Sequence, residues 1–445
     1  MTRLRLASAL VALGCLLDAS GARASEPEKR PLPDYDNRGG PYQTPGQKAL
    51  WVPRLLLSPL YFVSEFVIRR PLGFTITAAE KAGVPSALYD FFAFGPDHKA
   101  GVVPIALVDF GFQPSVGLYA FWDDAGFAGH DLRLRGSTWG KDWLSGAASE
   151  RFRIGKRLEL GWTLSGTHRP DYAFYGIGPD TVEDSLVRYS ANIVDARLES
   201  RVTFGSSSLL EVSAGYRSNS FGHSKFPRST SLDDAVAQGT LAEPPGFADG
   251  FRAPVAHTRL VLDSRPAQGS QTGLRLDVLA EEGADLKNSP TSGWLRYGGT
   301  VGGFVDLGDT GRVVSLSVAA LLADPLGDRP VPFTELIGLG GPGLMPGFRM
   351  GRLYDRSAAV ATLRYSWPIW IWLNGSLQVA TGNVFGERFD GFRTGRGRLS
   401  TALGIEGNAS RDSIFQALIG FGTETFESGA KLDSLRVVIG ARSGF

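Results

Sequence analysis

Leu339-Gly340-Gly341-Pro342-Gly343-Leu344-Met345-Pro346-Gly347-Phe348-Arg349-Met350-Gly351-Arg352, followed by Asp355 and an apolar-alternating run from Arg356 to Pro368, is the stretch that decides the fold of this 445-residue chain. Its glycine-rich start, Gly338 to Gly343, leads into a loop and not a helix, so it has no context for cradling a phosphate. The residues after the loop alternate with the period of a β-strand.

The same period of two recurs along the chain. Leu435, Val437, Ile439, Ala441 and Phe445 share one parity, with Arg436, Gly440, Arg442 and Gly444 on the other. Val194, Ala196, Leu198, Val202 and Phe204 likewise oppose Asp195, Arg197, Glu199, Arg201 and Thr203. An apolar face against a polar or small one is the pattern of a membrane barrel strand. A soluble all-β domain also alternates, with the apolar face as its core. It would leave Gly-rich, charged faces in water along the whole chain, and it gives no account of the terminal aromatic.

About sixteen segments read as strands, the first near 101–109 and the last near 433–445, and an even number is what a bacterial single-chain barrel requires. The connections sort by parity. Those after even strands are short, as at 123–127, 154–156, 205–206, 308–310 and the Pro368-Ile369-Trp370 turn. The long ones, 169–185, 219–253, 283–291, 323–355 and 382–395, all follow odd strands. Short turns on one side and long loops on the other is the asymmetry of an outer-membrane barrel whose long loops face outward. Trp122, Trp143, Trp162, Trp367, Trp370 and Trp372 near strand ends fit interfacial girdles.

The N-terminal region has a different composition. Arg3 and Arg5 precede an apolar run from Leu6 to Leu17, and Ala22-Arg23-Ala24 has the small residues of a cleavage site, so residues 1–24 read as a secretory signal peptide. Leu13-Gly14-Cys15 offers an alternative lipoprotein-type site, for which Ala12 is a poor start. Cleavage after Ala24 removes the chain's single cysteine, which excludes a disulfide scaffold. Residues 25–47 are rich in Pro, Gly and charge and read as a flexible linker. Residues 48–100 read as helical: Ser58 is an N-cap before Pro59, a second helix opens at Thr77, and a third runs from Pro85 through Phe91. Leu60, Phe62, Val63, Phe66 and Val67 form too large an apolar surface to stand in water, so these helices are expected to dock on the barrel, 101–445, or at the membrane interface. No apolar run past the signal approaches the ~20 residues of a membrane helix. The bilayer must then be crossed by a closed barrel.

The loop and the strand after it resemble the BamA/TamA outer-membrane assembly superfamily, the bacterial surface antigen family, and the resemblance extends over roughly 100–445. In that family a Gly-Gly step, here Gly340-Gly341, leads to a tip of the form apolar-Arg-Gly-aromatic that folds back into the barrel lumen. The tip here is Met345-Pro346-Gly347-Phe348, followed by Arg349, so Pro346 stands in place of the arginine. The family's wall strand, ending Phe-x-Asp-x-Gly, is matched by Gln378-Val379-Ala380-Thr381-Gly382, where Ala380 replaces the aspartate. The ending acidic-x-Arg-x-Pro reads Arg364-Tyr365-Ser366-Trp367-Pro368. Both halves of a buried ion pair are thus missing together, which is coherent because losing one alone strands a charge. Relatives carry periplasmic POTRA modules before the barrel, whereas the residues before 101 lack that strand content.

Enzymatic chemistry finds little support. His98, His130, His168, His223 and His257 show no metal-ligand spacing, and no metal or other cofactor is implied. His130 or His257 would need a serine on a neighbouring strand to form a hydrolase pair, and a wall histidine is the simpler account. With 46 basic and 45 acidic residues there is no electrostatic footprint for nucleic acid.

The resemblance implies an outer-membrane barrel, not an enzyme, that aids insertion or transport of protein or lipid. Its partners would be outer-membrane lipid, the barrel assembly machinery during biogenesis, and a protein substrate. In relatives the seam between first and last strands opens. Gly440 and Gly444 weaken the last strand here, and Pro104 removes a ladder donor from the first. The rival is a static, loop-plugged barrel acting as a narrow channel or scaffold, which the missing ion pair favours. Phe445 closes the lipid-facing parity and matches the C-terminal signal of barrel substrates, so its deletion should lower the amount of heat-modifiable protein in outer membranes. Unchanged levels on an unheated gel would count against that role.

Overall fold

The computed structural model describes residues 90–95 and 97–442, apart from 228, 267–270, 289–291, 371–372 and 408–413, together with the isolated residues 66, 70, 74, 78 and 81. Sixteen antiparallel strands close on themselves. They are β1 (Ala100–Asp109), β2 (Ser115–Trp122), β3 (His130–Thr138), β4 (Leu144–Ile154), β5 (Leu158–Phe174), β6 (Val187–Phe204), β7 (Ser208–Gly222) and β8 (Phe251–Asp263) in the first half. The second half comprises β9 (Gly273–Ala284), β10 (Gly293–Asp306), β11 (Val313–Leu326), β12 (Ser357–Trp370), β13 (Leu373–Phe385), β14 (Arg398–Gly407), β15 (Ile414–Thr423) and β16 (Leu432–Arg442). Each strand pairs with its sequence neighbours, and β16 returns to β1. Among the described residues no helix is long and apolar enough to cross a membrane.

Several strands run further than expected: β7 to Gly222, β11 to Leu326 and β13 to Phe385 take in the starts of the loops expected at 219–253, 323–355 and 382–395, and two further ends differ at prolines. The fifth strand continues past His168 to Phe174, with a register shift between Arg169 and Tyr172 that absorbs Pro170, so part of the expected loop 169–185 is wall. Pro368 does not begin a turn: it pairs with Asn374, and Trp370 pairs with Leu373 across a bulge. The signal, the linker and nearly all of the helical segment lie outside the described residues. Within 48–100, residues 90–92 are helical, but Ala93–Phe94 form a short strand on β1, opposite Gly101 and Ala100.

The molecule is inverted relative to a water-soluble protein. Leu198, Leu274 and Leu316 stand outward at 69%, 67% and 59% exposure. The opposite parity carries charge: Arg259 donates to Asp277 at 2.6 Å and Arg201 to Glu211 at 3.2 Å. An apolar outside around a polar lumen is what a bilayer-spanning barrel needs.

The lumen itself is graded. Toward the short-turn end its arginines keep solvent contact, with 38% of the Arg201 side chain exposed, whereas Arg217, higher in the wall, keeps 11%. Toward the long-loop end it is filled. Phe174, Tyr189, Leu232, Phe247, Phe251, Trp294 and Phe333 form one apolar cluster with the inserted loop residues Met345, Phe348 and Leu353. Arg217 fastens that fill to the wall: it donates to Asp195 on β6 at 3.1 Å, to Glu281 on β9 at 3.2 Å and to Glu335 of the loop at 2.7 Å. Arg296 adds contacts of 3.2 Å to Glu281 and 3.6 Å to Glu335. Replacing Arg217 by Met leaves Asp195 to Arg197 and the buried Glu281 and Glu335 to Arg296 alone, a loss of about 3–5 kcal/mol. The variant should therefore unfold at a lower temperature than wild type in a gel-shift melt, and identical melting curves would show that the network contributes nothing.

Candidate functional site: the inserted loop and the seam

Residues 327–356 connect β11 to β12 and enter the lumen as a hairpin. Phe333–Glu335 form a 3-10 turn, and Ile337–Leu339 pair with Leu353–Asp355. Glycine is required at the reversals, since Gly340 and Gly341 have φ of 104° and 66°. The tip is then closed by its own backbone: Gly340 N–H donates to Leu344 O and Gly341 N–H to Phe348 O, both at 2.9 Å. Burial pushes the Glu335 carboxyl above its ordinary range, against the pull of Arg217 and Arg296.

The tip docks on β14, β15 and β16. Gly347 N–H donates to Ser400 Oγ at 2.9 Å, and a Cβ on Gly347 would lie 2.1 Å from Phe421 O. The wall makes reciprocal room, because a Cβ on Gly422 would fall 2.4 Å from the Phe348 ring and one on Gly420 2.9 Å from Gly347 Cα. Met345 and Phe348 are fully buried. Ala380 is buried in the same cluster, on β13 directly opposite Ser400, and Gly382 lies against β12.

The cation missing at Pro346 arrives from the wall instead. Arg436 on β16 donates to Gly341 O at 2.7 Å and Pro346 O at 3.3 Å, so the loop meets this cation with backbone carbonyls. Its other edge donates to Asp109 Oδ2 at 2.9 Å, at the end of β1. One guanidinium thus joins the loop tip, the last strand and the first. Pro342 and Met350 of the loop share a cavity of about 40 Å³ with Leu107, Asp109, Arg436 and Val438 of the seam.

Between β16 and β1 the ladder is short. Among the described residues it consists of Val438 opposite Asp109, Ile439 opposite Val108 and Gly440 opposite Leu107, whereas β1 pairs with β2 from Ala100 to Leu107. Gly440 permits the approach, since a Cβ there would lie 2.5 Å from Ala106 O. Pro104 sits in the stretch of β1 for which β16 supplies no described partner, and Ala93–Phe94 cover that edge only at its start. Gly444 and Phe445 lie outside the described residues.

A second anchor holds the loop's exit. Arg352, fully buried, donates to Asp433 at 2.6 Å and to Thr181 Oγ1 at 2.7 Å, and Arg398 donates to Thr181 O at 2.7 Å. Arg349 donates to Glu183 at 2.8 Å. Burial raises the Glu183 carboxyl's pKa, opposed by Arg349 and Arg352. Sequence reasoning missed Arg436, Asp109, Ser400, Gly420 and Gly422. The inward parity of Arg436 and the Gly420-Phe421-Gly422 alternation were the available signals.

The histidines stay apart from one another, and two of them stand beside groups that matter for an enzymatic or metal reading. His257 stands in register between Ser213 and Glu281 across β7, β8 and β9, but Glu281 is held by Arg217 and Arg296 and no hydrogen bond joins the serine to the histidine. His223 meets Asp233 at 3.0 Å and Asp234 at 3.9 Å on an exposed loop.

No protein-family model and no curated protein matches the chain. Solved structures do. BamA from Haemophilus ducreyi lacking POTRA domains 1–3 is similar at a TM-score of 0.51 and 13% identity, over 77% of this chain and 70% of that one. CdiB from Acinetobacter baumannii gives 0.48 at 13% identity over 77% of this chain, which spans 59% of that one. CdiB from Escherichia coli gives 0.46 at 12% identity over 76% and 62%. The likeness to BamA is one of fold.

Gly347→Val should impair assembly more than Pro346→Ala, because valine meets the Phe421 carbonyl while alanine preserves the carbonyl that accepts from Arg436. Heat-modifiable yields of the two variants check this, and a worse Pro346→Ala would refute the docking geometry.

Proposed function

We propose that this protein acts in the bacterial outer membrane as a BamA/TamA-type barrel that aids insertion or transport of protein or lipid at its seam. The supporting observation is the β16–β1 ladder, three residue pairs among the described residues, fastened by an arginine that also holds the inserted loop. Retracting the loop removes two acceptors of Arg436 and weakens its grip on Asp109, which couples loop position to seam closure. The work is non-enzymatic: strand edges and bilayer geometry do it. Its substrate is a protein or a lipid, and its own assembly depends on the barrel assembly machinery.

A static plugged barrel is the second reading, favoured by the filled outer half of the lumen. Val108→Cys with Ile439→Cys places thiols at directly opposed positions of the seam. Liposomes carrying the wild-type protein should fold a second barrel protein faster than empty liposomes, and the oxidised double variant should lose that advantage until reduced. No acceleration by the wild type would select the static barrel.

A further inference from the structure

Three glycines lie side by side on the outer surface of the barrel. Gly136 on β3 is directly opposite Gly146 on β4, which is opposite Gly166 on β5, and the row ends at Leu118 on one side and Val194 on the other. These glycines are not required by packing: a Cβ at Gly136 or Gly166 would meet nothing within 4 Å, and one at Gly146 only Arg135 O at 3.8 Å. All have φ outside the left-handed region. What they create is a trough of about 750 Å³ walled by Val116, Leu118, Leu144 and Val194.

The trough has a polar end. One row nearer the long loops stand Thr138, Leu144, His168 and Asn192, with His168 Nδ1 2.6 Å from Asn192 Oδ1. Just beyond them the half-exposed Trp139 marks an interface level. Lys141 and Lys225 lie above, and Lys225 Nζ is 2.6 Å from Asp142. The Asp142 carboxyl is held below its ordinary range by the hydrogen bond from Lys225, with Lys141 and His168 adding to the pull. Two lysines thus flank one acid at the mouth of an apolar trough, an excess of positive charge that suits a phosphate.

We infer that this trough is a lipid site: one acyl chain of a phosphate-bearing lipid of the outer leaflet lies along Gly136, Gly146 and Gly166, with its phosphate on Lys141 and Lys225. Embedding in the outer membrane rests on the function proposed above, but lipid retention is independent of any insertion activity. The glycine floor lets the chain lie against backbone, and a side chain there would displace roughly two methylenes, a loss of about tenfold in affinity.

The full-length barrel, Gly146→Leu, Gly166→Leu and Lys141→Ala/Lys225→Ala should be purified in detergent, offered lipid A or phosphatidylethanolamine, and measured by native mass spectrometry. Wild type should retain lipid A. The leucine variants should lose about tenfold, and the lysine variant should lose its preference for lipid A over phosphatidylethanolamine. Unheated gel mobility tells whether each variant has folded, so a failed barrel and a failed lipid site are distinguishable. Equal retention of lipid A by wild type and both folded leucine variants would overturn the assignment. So would a photoreactive residue at position 146 that captures a protein in cells and no lipid.

Discussion

Closure of the backbone hydrogen-bond ladder is the constraint from which the rest follows, because a bilayer supplies no substitute partner for an exposed amide or carbonyl. Fifteen of the sixteen joints are between strands adjacent in sequence, where a turn or a loop holds the two edges together. The sixteenth joins β16 to β1 with no connecting chain, through three opposed residue pairs among the described residues. A joint so short needs help from side chains, and Arg436 provides it by bridging to Asp109. Charged groups cost least where every donor is used, and this guanidinium divides its donors between one carboxylate and two loop carbonyls.

The inserted loop therefore does more than fill space. Its apolar residues Met345, Phe348 and Leu353 complete a core to which the wall contributes Phe174, Tyr189, Phe251 and Trp294. Its carbonyls complete the coordination of Arg436, and its Glu335 completes that of Arg217. Each contact is polar on one side and buried on both, so the loop is either fully seated or expensive to hold partway. Such all-or-none seating is what a coupled latch requires. It is equally compatible with a permanent plug, and the height of the barrier between the two states separates them.

The outer surface obeys a different rule. Its exposed leucines and valines fill most rows with large apolar groups. The row at Gly136, Gly146 and Gly166 departs from that pattern beside a cluster of basic groups, which sets it apart from bulk lipid contact.

The period-two pattern by itself determined the strand number, the in and out faces and the alternation of short turns with long loops, because each strand's chemistry is local and a one-residue slip would turn every side chain around. The loop at Gly340 to Arg349 was legible through its resemblance to the bacterial surface antigen family and not through the period. Strand ends at Pro170 and Pro368 were misjudged: proline removes one donor, and a register shift or a bulge accommodates it without ending the strand. Alternation placed Arg436 on the inner face but was silent on its partners, which are separated from it by 90 residues or more along the chain. Only the closed barrel brings Gly341, Pro346 and Asp109 to one guanidinium, and only the strand register lines up three glycines from three strands. Long-range juxtaposition is a property of closure and register, and no local pattern of residues encodes it.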